Sequence, residues 1–163
     1  MRAAGYLIFC GLVCWGPAWA ADALSDTQAV TLYARRFDNA WLTASQGKPL
    51  TKPPYDSAAA APAQDRHDEA LSQCETHQTD FHSGRERMEC FLAADSEFAA
   101  ATSLDPLLVA TFKTAVRQAA ADADAGKLSQ TQLDSVYFMI ALAYASIIHD
   151  QNTAWRRSHP RPP

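Results

Sequence analysis

Signatures of catalysis are what this chain has least of. Six glycines are spread along its 163 residues, which leaves no material for a phosphate-cradling loop, and neither G-x-S-x-G nor H-E-x-x-H occurs. Cys-x-x-Cys-His is missing, which argues against a c-type cytochrome, and no Cys-x-x-Cys pair opens a helix as a thiol–disulfide exchanging enzyme would require. There is no alternating apolar–polar run bounded by turn residues, so nothing argues for a strand. A surplus of positive charge is also lacking: 14 Lys and Arg against 18 Asp and Glu give a net charge of -4. Affinity for nucleic acid rests on many basic contacts to phosphate, so nucleic acid is not an expected partner. Beyond the first twenty residues, the best apolar run, Val136 to Ile148, is roughly 13 residues, the length of a buried core helix rather than a membrane span.

What is present begins with an address. Arg2 supplies a positive start, Tyr6 to Trp19 is almost wholly apolar, and Ala18-Trp19-Ala20 has the small-x-small form of a signal-peptidase site. As a helix the apolar stretch would reach only about 21 Å, short of the ~30 Å hydrocarbon layer, so a cleaved leader over 1–20 is expected rather than an anchor. Cys10 follows Phe9 and Cys14 follows Val13, neither of which resembles a lipid-attachment site. Loss of Arg2 would take the net charge to about -5, since no acidic residue leaves with it. The expected location is periplasmic or secreted, where disulfides persist. About 143 residues remain, enough for one domain with a real core.

Helical signals fill most of the remainder. Ser25 and Gln28 have the spacing of a capping box, and Val30, Tyr33, Phe37 and Trp41 follow as an apolar stripe, giving an N-terminal helix within 21–47. The stretch 48–64, with Pro and Ala and little to bury, reads as an exposed loop or linker. The bundle core is expected over 65–155. Its second helix carries Ala70, Leu71 and Cys74, and its third carries Met88, Phe91, Leu92 and Phe98. Asp105 caps a fourth with Pro106 at the first helical position, and Gly126 stops it. Ser129 and Gln132 form another capping box, with Leu128 and Leu133 as a hydrophobic staple. The fifth helix, "VYFMIALAYASII", is apolar nearly all round and is therefore expected to be central. Residues 156–163 form a basic, Pro-rich tail. The fold class is all-α, a small bundle of four to five helices.

The segment from Cys74 to Cys90 carries the only remaining cysteines, with His77 and His82 between them. Each cysteine lies eight residues from His82, beside the turn expected at Ser83-Gly84. In a helical hairpin, positions equidistant from the turn sit at equal height, within reach of the ~5.5–6 Å alpha-carbon separation of a disulfide. A Cys74–Cys90 staple is the expectation. The competing reading makes Cys74, His77, His82 and Cys90 a metal set, but zinc sites bring ligands as close pairs, and only Cys74-x-x-His77 resembles one.

His67-Asp68-Glu69 could serve acid–base chemistry, but neighbours on a helix point about 100° apart, so a solvated face is expected. Asp95 falls among Phe91, Leu92, Phe98 and Ala99, where an unpaired carboxylate is costly. It is expected to be a buried polar residue that caps a fresh turn at a kink, ahead of pairing with a basic side chain. His149, the other candidate buried polar residue, follows Ile148 near the expected helix end, where the dipole favours a protonated imidazole. No cofactor and no catalytic residue are expected. The chain reads as a non-enzymatic exported protein that binds another envelope protein, as an inhibitor, immunity factor, adaptor or chaperone would. The alternative is a small-molecule or metal-binding bundle with His67, His77, His82 and Asp95 as contacts.

Overall fold

The computed structural model describes residues 24–46, 48 and 57–160. Five α-helices follow in order: α1 (Asp26–Ser45), α2 (Ser57–Thr76), α3 (Gly84–Ala101), α4 (Pro106–Asp124) and α5 (Gln130–Ser158). One 3-10 turn, Gln78–Asp80, separates α2 from α3, and there is no strand among the described residues. The all-helical expectation therefore holds. The leader expected over 1–20, with Cys10 and Cys14, lies outside the described residues, as do residues 21–23, Gly47, residues 49–56 and residues 161–163.

The helix starts are fixed by local chemistry. Gln28 donates its backbone N–H to Ser25 Oγ at 3.3 Å and accepts the Ser25 N–H on Oε1 at 2.9 Å. The box at Ser129 and Gln132 has the same two bonds at 3.1 and 2.8 Å. Such pairs satisfy donors that a helix start leaves open. Gln132 does a second job, since its Nε2 donates to Leu24 O at 2.6 Å and so ties the start of α5 to the start of α1. Asp105 Oδ1 accepts from Leu107 N at 2.8 Å, and Gly126, at φ +74, closes α4 in the left-handed conformation that glycine adopts without strain.

Pairwise contacts set the architecture. Phe37 with Phe112 and Tyr33 with Asp122 run α1 antiparallel to α4; Glu89 with Arg117 does the same for α3, and Phe112 with Tyr144 for α5. The helix in the middle is consequently α4, which packs on α1, α3 and α5. Phe112 is its hub, edge-on to Phe37 at 6.3 Å and stacked on Tyr144 at 4.5 Å. Around it Leu92, Leu108, Val116, Leu133, Val136 and Ile140 are all buried. Burying one such side chain stabilises the fold by roughly 1.5–3 kcal/mol.

Three expectations need correction. The stretch 48–64 is not all loop, because α2 begins at Ser57: Ala58 to Ala61 are the best intrinsic helix formers, and they carry the helix through Pro62. α5 is not the central helix. It packs on α1 and α4 through Leu133, Val136, Ile140 and Tyr144, while its opposite face stays open. It is also longer than the 13-residue apolar run, reaching Ser158 and taking Arg156 and Arg157 into its last turn, where cations suit the dipole. At 29 residues and a mean hydropathy of 1.3 over its most apolar stretch it is long and apolar enough to cross a membrane, yet one whole face is the wall of this core.

Candidate functional site

The disulfide is where symmetry about the turn put it: Cys74 and Cys90 are bonded, with alpha carbons 5.9 Å apart, and they link α2 to α3. Serine and glycine make the turn work. Ser83 Oγ accepts from Glu86 N at 3.0 Å, and Gly84 is packed so closely that a Cβ there would lie 2.9 Å from Leu133 Cδ2 and 3.2 Å from Asp124 Oδ1. Asp124 accepts the Gly84 N–H at 2.7 Å, so a carboxylate from the end of α4 caps the start of α3.

Seven residues before Cys74, on the same face of α2, lies His67. The face reads Ala63, His67, Ala70, Cys74, a 4-3-4 spacing that turns all four toward α3. His67 Nε2 donates to Asp95 Oδ1 at 2.9 Å, and Tyr137 of α5 donates its hydroxyl to Asp95 Oδ2 at 2.9 Å. The His67 and Asp95 side chains are only 15% and 14% exposed. The expected kink at Asp95 is absent, since α3 runs unbroken; the carboxylate is instead the meeting point of α2, α3 and α5. The expected solvated face at His67 is corrected for the same reason. The hydrogen bond to Asp95 raises the His67 pKa above its usual value, against the opposing effect of burial, and Asp68, 3.6 Å from Nδ1, acts in the same direction. Burial and the nearby carboxylate push the Tyr137 hydroxyl well up, so it remains a donor. An acid, a base and a phenol thus converge on the two oxygens of Asp95, while His67 Nδ1 is buried without a hydrogen-bond partner. Arranged so, they fasten three helices together rather than present a reactive group.

A second carboxylate cluster joins α1 to α4. Buried Asp122 accepts from Lys127 Nζ at 2.8 Å, Tyr33 Oη at 2.6 Å and Gln118 Nε2 at 3.3 Å. Lys127 and Tyr33 hold its carboxyl down at about 2, and burial together with that carboxylate pushes the Tyr33 phenol up to about 12.

The remaining candidate contacts do not converge. His77 is exposed and pairs with Asp80 at 3.1 Å, and His82 is exposed at the turn. The sulfurs that the metal reading needed are bonded to each other, and among the described residues no three His, Cys, Asp or Glu side chains are placed to hold a metal ion. His149, expected to be buried near a helix end, is exposed and lies inside α5, about two and a half turns from its true end. Trp41 is buried in the core, whereas Trp155 is half-buried and stacks on His159 at 3.8 Å.

The surface departs from expectation on α5. Phe138 and Leu142, one turn apart on its outer face, are 60% and 48% exposed, and Leu42 on α1 is 61% exposed. From Ser135 to Ile148 that helix carries no charged residue. Comparison with protein-family models, with curated proteins and with solved structures finds no match to this chain.

Proposed function

We propose that this is an exported, non-enzymatic helical bundle that acts by binding another protein of the compartment it enters, with the α1–α5 side as its binding face. The observation that carries the reading is the pair Phe138 and Leu142, large apolar side chains left in solvent on a helix that has already built its share of the core with the opposite face. Exposed apolar clusters of this kind are where soluble proteins meet partners, and aromatic residues are enriched at the centre of such interfaces. By contrast, the buried carboxylates are satisfied within the fold: Asp95 by His67 and Tyr137, Asp122 by Lys127 and Tyr33. These clusters therefore serve the architecture, and the chemistry on offer at the surface is recognition.

The leader-like start and the bonded cysteines support an oxidising compartment, the periplasm or the exterior. The test is affinity capture from the envelope and medium of the producing cells, comparing the parent protein with a Phe138→Ser/Leu142→Ser variant, with far-UV circular dichroism to verify that both are folded. A partner held by the parent and lost by the variant is expected. Equal recovery by both proteins would refute the use of this face, and an empty capture by both would refute the binding role.

A further inference from the structure

Where α5 runs alongside the second half of α1, the two helices leave a groove of about 370 Å³ lined by Asp38, Trp41, Leu42, Ile147, Asp150 and Gln151. Its composition is divided. Trp41, Leu42 and Ile147 make an apolar floor, and Asp38 and Asp150 contribute one carboxylate from each helix. Four acidic side chains elsewhere in the fold close on basic partners: Glu89 on Arg117, Asp134 on Arg87, Asp122 on Lys127 and Asp95 on His67. The side chains of Asp38 and Asp150 have no ion pair or hydrogen bond among the described residues, and both residues are exposed. Gln151, the third polar residue of the lining, has its Oε1 buried without a hydrogen-bond donor. Native proteins leave few such acceptors unpaired, so each one asks for an explanation.

We propose that this groove receives a basic amphipathic segment of the protein partner. An apolar side chain would lie on Trp41, Leu42 and Ile147, and flanking Lys or Arg residues would pair with Asp38 and Asp150. The inference rests on the binding role proposed above and names the chemistry of the partner. Charge complementarity decides the occupant. An acidic segment would add charge to two uncompensated carboxylates, while a wholly apolar one would cover them without pairing, and both outcomes are costly. Lysine and arginine suit such a place because their methylene stems cover apolar floor while their heads reach carboxylate or solvent.

The test uses Trp41 as the reporter, in a mature Trp155→Phe protein where it is the only tryptophan left after the leader is removed. Emission is titrated with a helical peptide built from leucine and lysine, and in parallel with its leucine–glutamate counterpart. The leucine–lysine peptide is expected to bind and to shift Trp41 emission. Asp38→Asn/Asp150→Asn should weaken it by roughly fivefold or more, the combined effect of two exposed ion pairs, with the loss shrinking as salt rises. Asp65→Asn/Asp68→Asn on α2, which removes the same charge elsewhere, should leave affinity within about twofold. Equal weakening by the two double variants, or equal binding of the glutamate peptide, would overturn the groove. Light scattering that gave a concentration-dependent mass lost with Leu42→Ser would assign the groove to a second copy instead, and would also overturn it. The two proposals fail separately: if envelope capture depends on Phe138 and Leu142 but is indifferent to Asp38→Asn/Asp150→Asn, the groove assignment falls while the binding role stands.

Discussion

Replacing Cys74 and Cys90 together by serine removes the disulfide cross-link between α2 and α3. The cysteines are 16 residues apart. In the chain-entropy description a closed loop of this size lowers the entropy of the unfolded chain by roughly 10 cal/mol/K, which is about 3 kcal/mol at room temperature. Domains of this size have only ~5–15 kcal/mol in total, so the loss is a large fraction of the margin. In temperature it corresponds to a fall in Tm of roughly 10 °C. The structure adds where the loss should be felt. On the face of α2 that meets α3, Ala63 and Cys74 are buried and both are small, so little apolar area holds the helix once the sulfur bond is gone. Thermal unfolding followed at 222 nm gives the global number, and hydrogen exchange resolved along the chain gives its location. The expected result is a lower Tm with helix content almost unchanged at room temperature and faster exchange concentrated in α2. A Tm within 2 °C of the parent would refute the reasoning, and so would exchange that accelerates evenly over all five helices.

Other outcomes follow from the carboxylate clusters and the helix ends. Because His67 has a raised pKa in the folded protein, its contribution to stability is complete below about pH 6.5 and fades as pH rises through the raised value. Urea unfolding between about pH 6 and 9 should therefore show a decline in the parent that His67→Gln lacks, and equal slopes would contradict the His67–Asp95 contact. Asp122 has the opposite sign: held down at about 2 against a usual 3.8, it stabilises above pH 3.8, and that contribution is lost as pH falls toward 2. Asp122→Asn should cost at most about 2 kcal/mol near neutrality, because Lys127 is exposed and screened, and should flatten the acid limb of a pH–stability curve. Ser103, at φ +55 after the end of α3, sits where a side chain is strained. Ser103→Gly should raise the unfolding free energy by about 1 kcal/mol in urea titrations, and a decrease would contradict the cap geometry.

The starts of α1, α4 and α5 and the disulfide were legible in the sequence because each depends on residues close along the chain or related by simple symmetry. Ser25 with Gln28, Ser129 with Gln132, and Asp105 with Pro106 carry their start signals within four residues. Cys74 and Cys90 are equidistant from the turn. Extending that symmetry places His67 opposite position 97, half a turn from Asp95, so this contact was within reach of the same reasoning. Tyr137 was not, since its hydroxyl is hidden in an apolar run and meets Asp95 only once α5 has packed beside α3. Tyr33 and Asp122 are 89 residues apart and needed the α1–α4 pairing as well. Composition misled in two places. Pro62 and its alanines read as loop, although the alanines are strong helix formers, and the all-round apolar character of α5 read as central burial. In the structure that character divides into a core face and an exposed face, which is why the surface proposed to bind a partner was the least visible beforehand.

The most direct test of the proposed binding role is a photo-crosslinking residue placed at Phe138 in the full chain, activated in living cells. The account predicts a discrete covalent adduct with a single protein, absent when the same residue is placed at exposed Thr114 on α4. No adduct at position 138, or the same set of adducts from both positions, would contradict it.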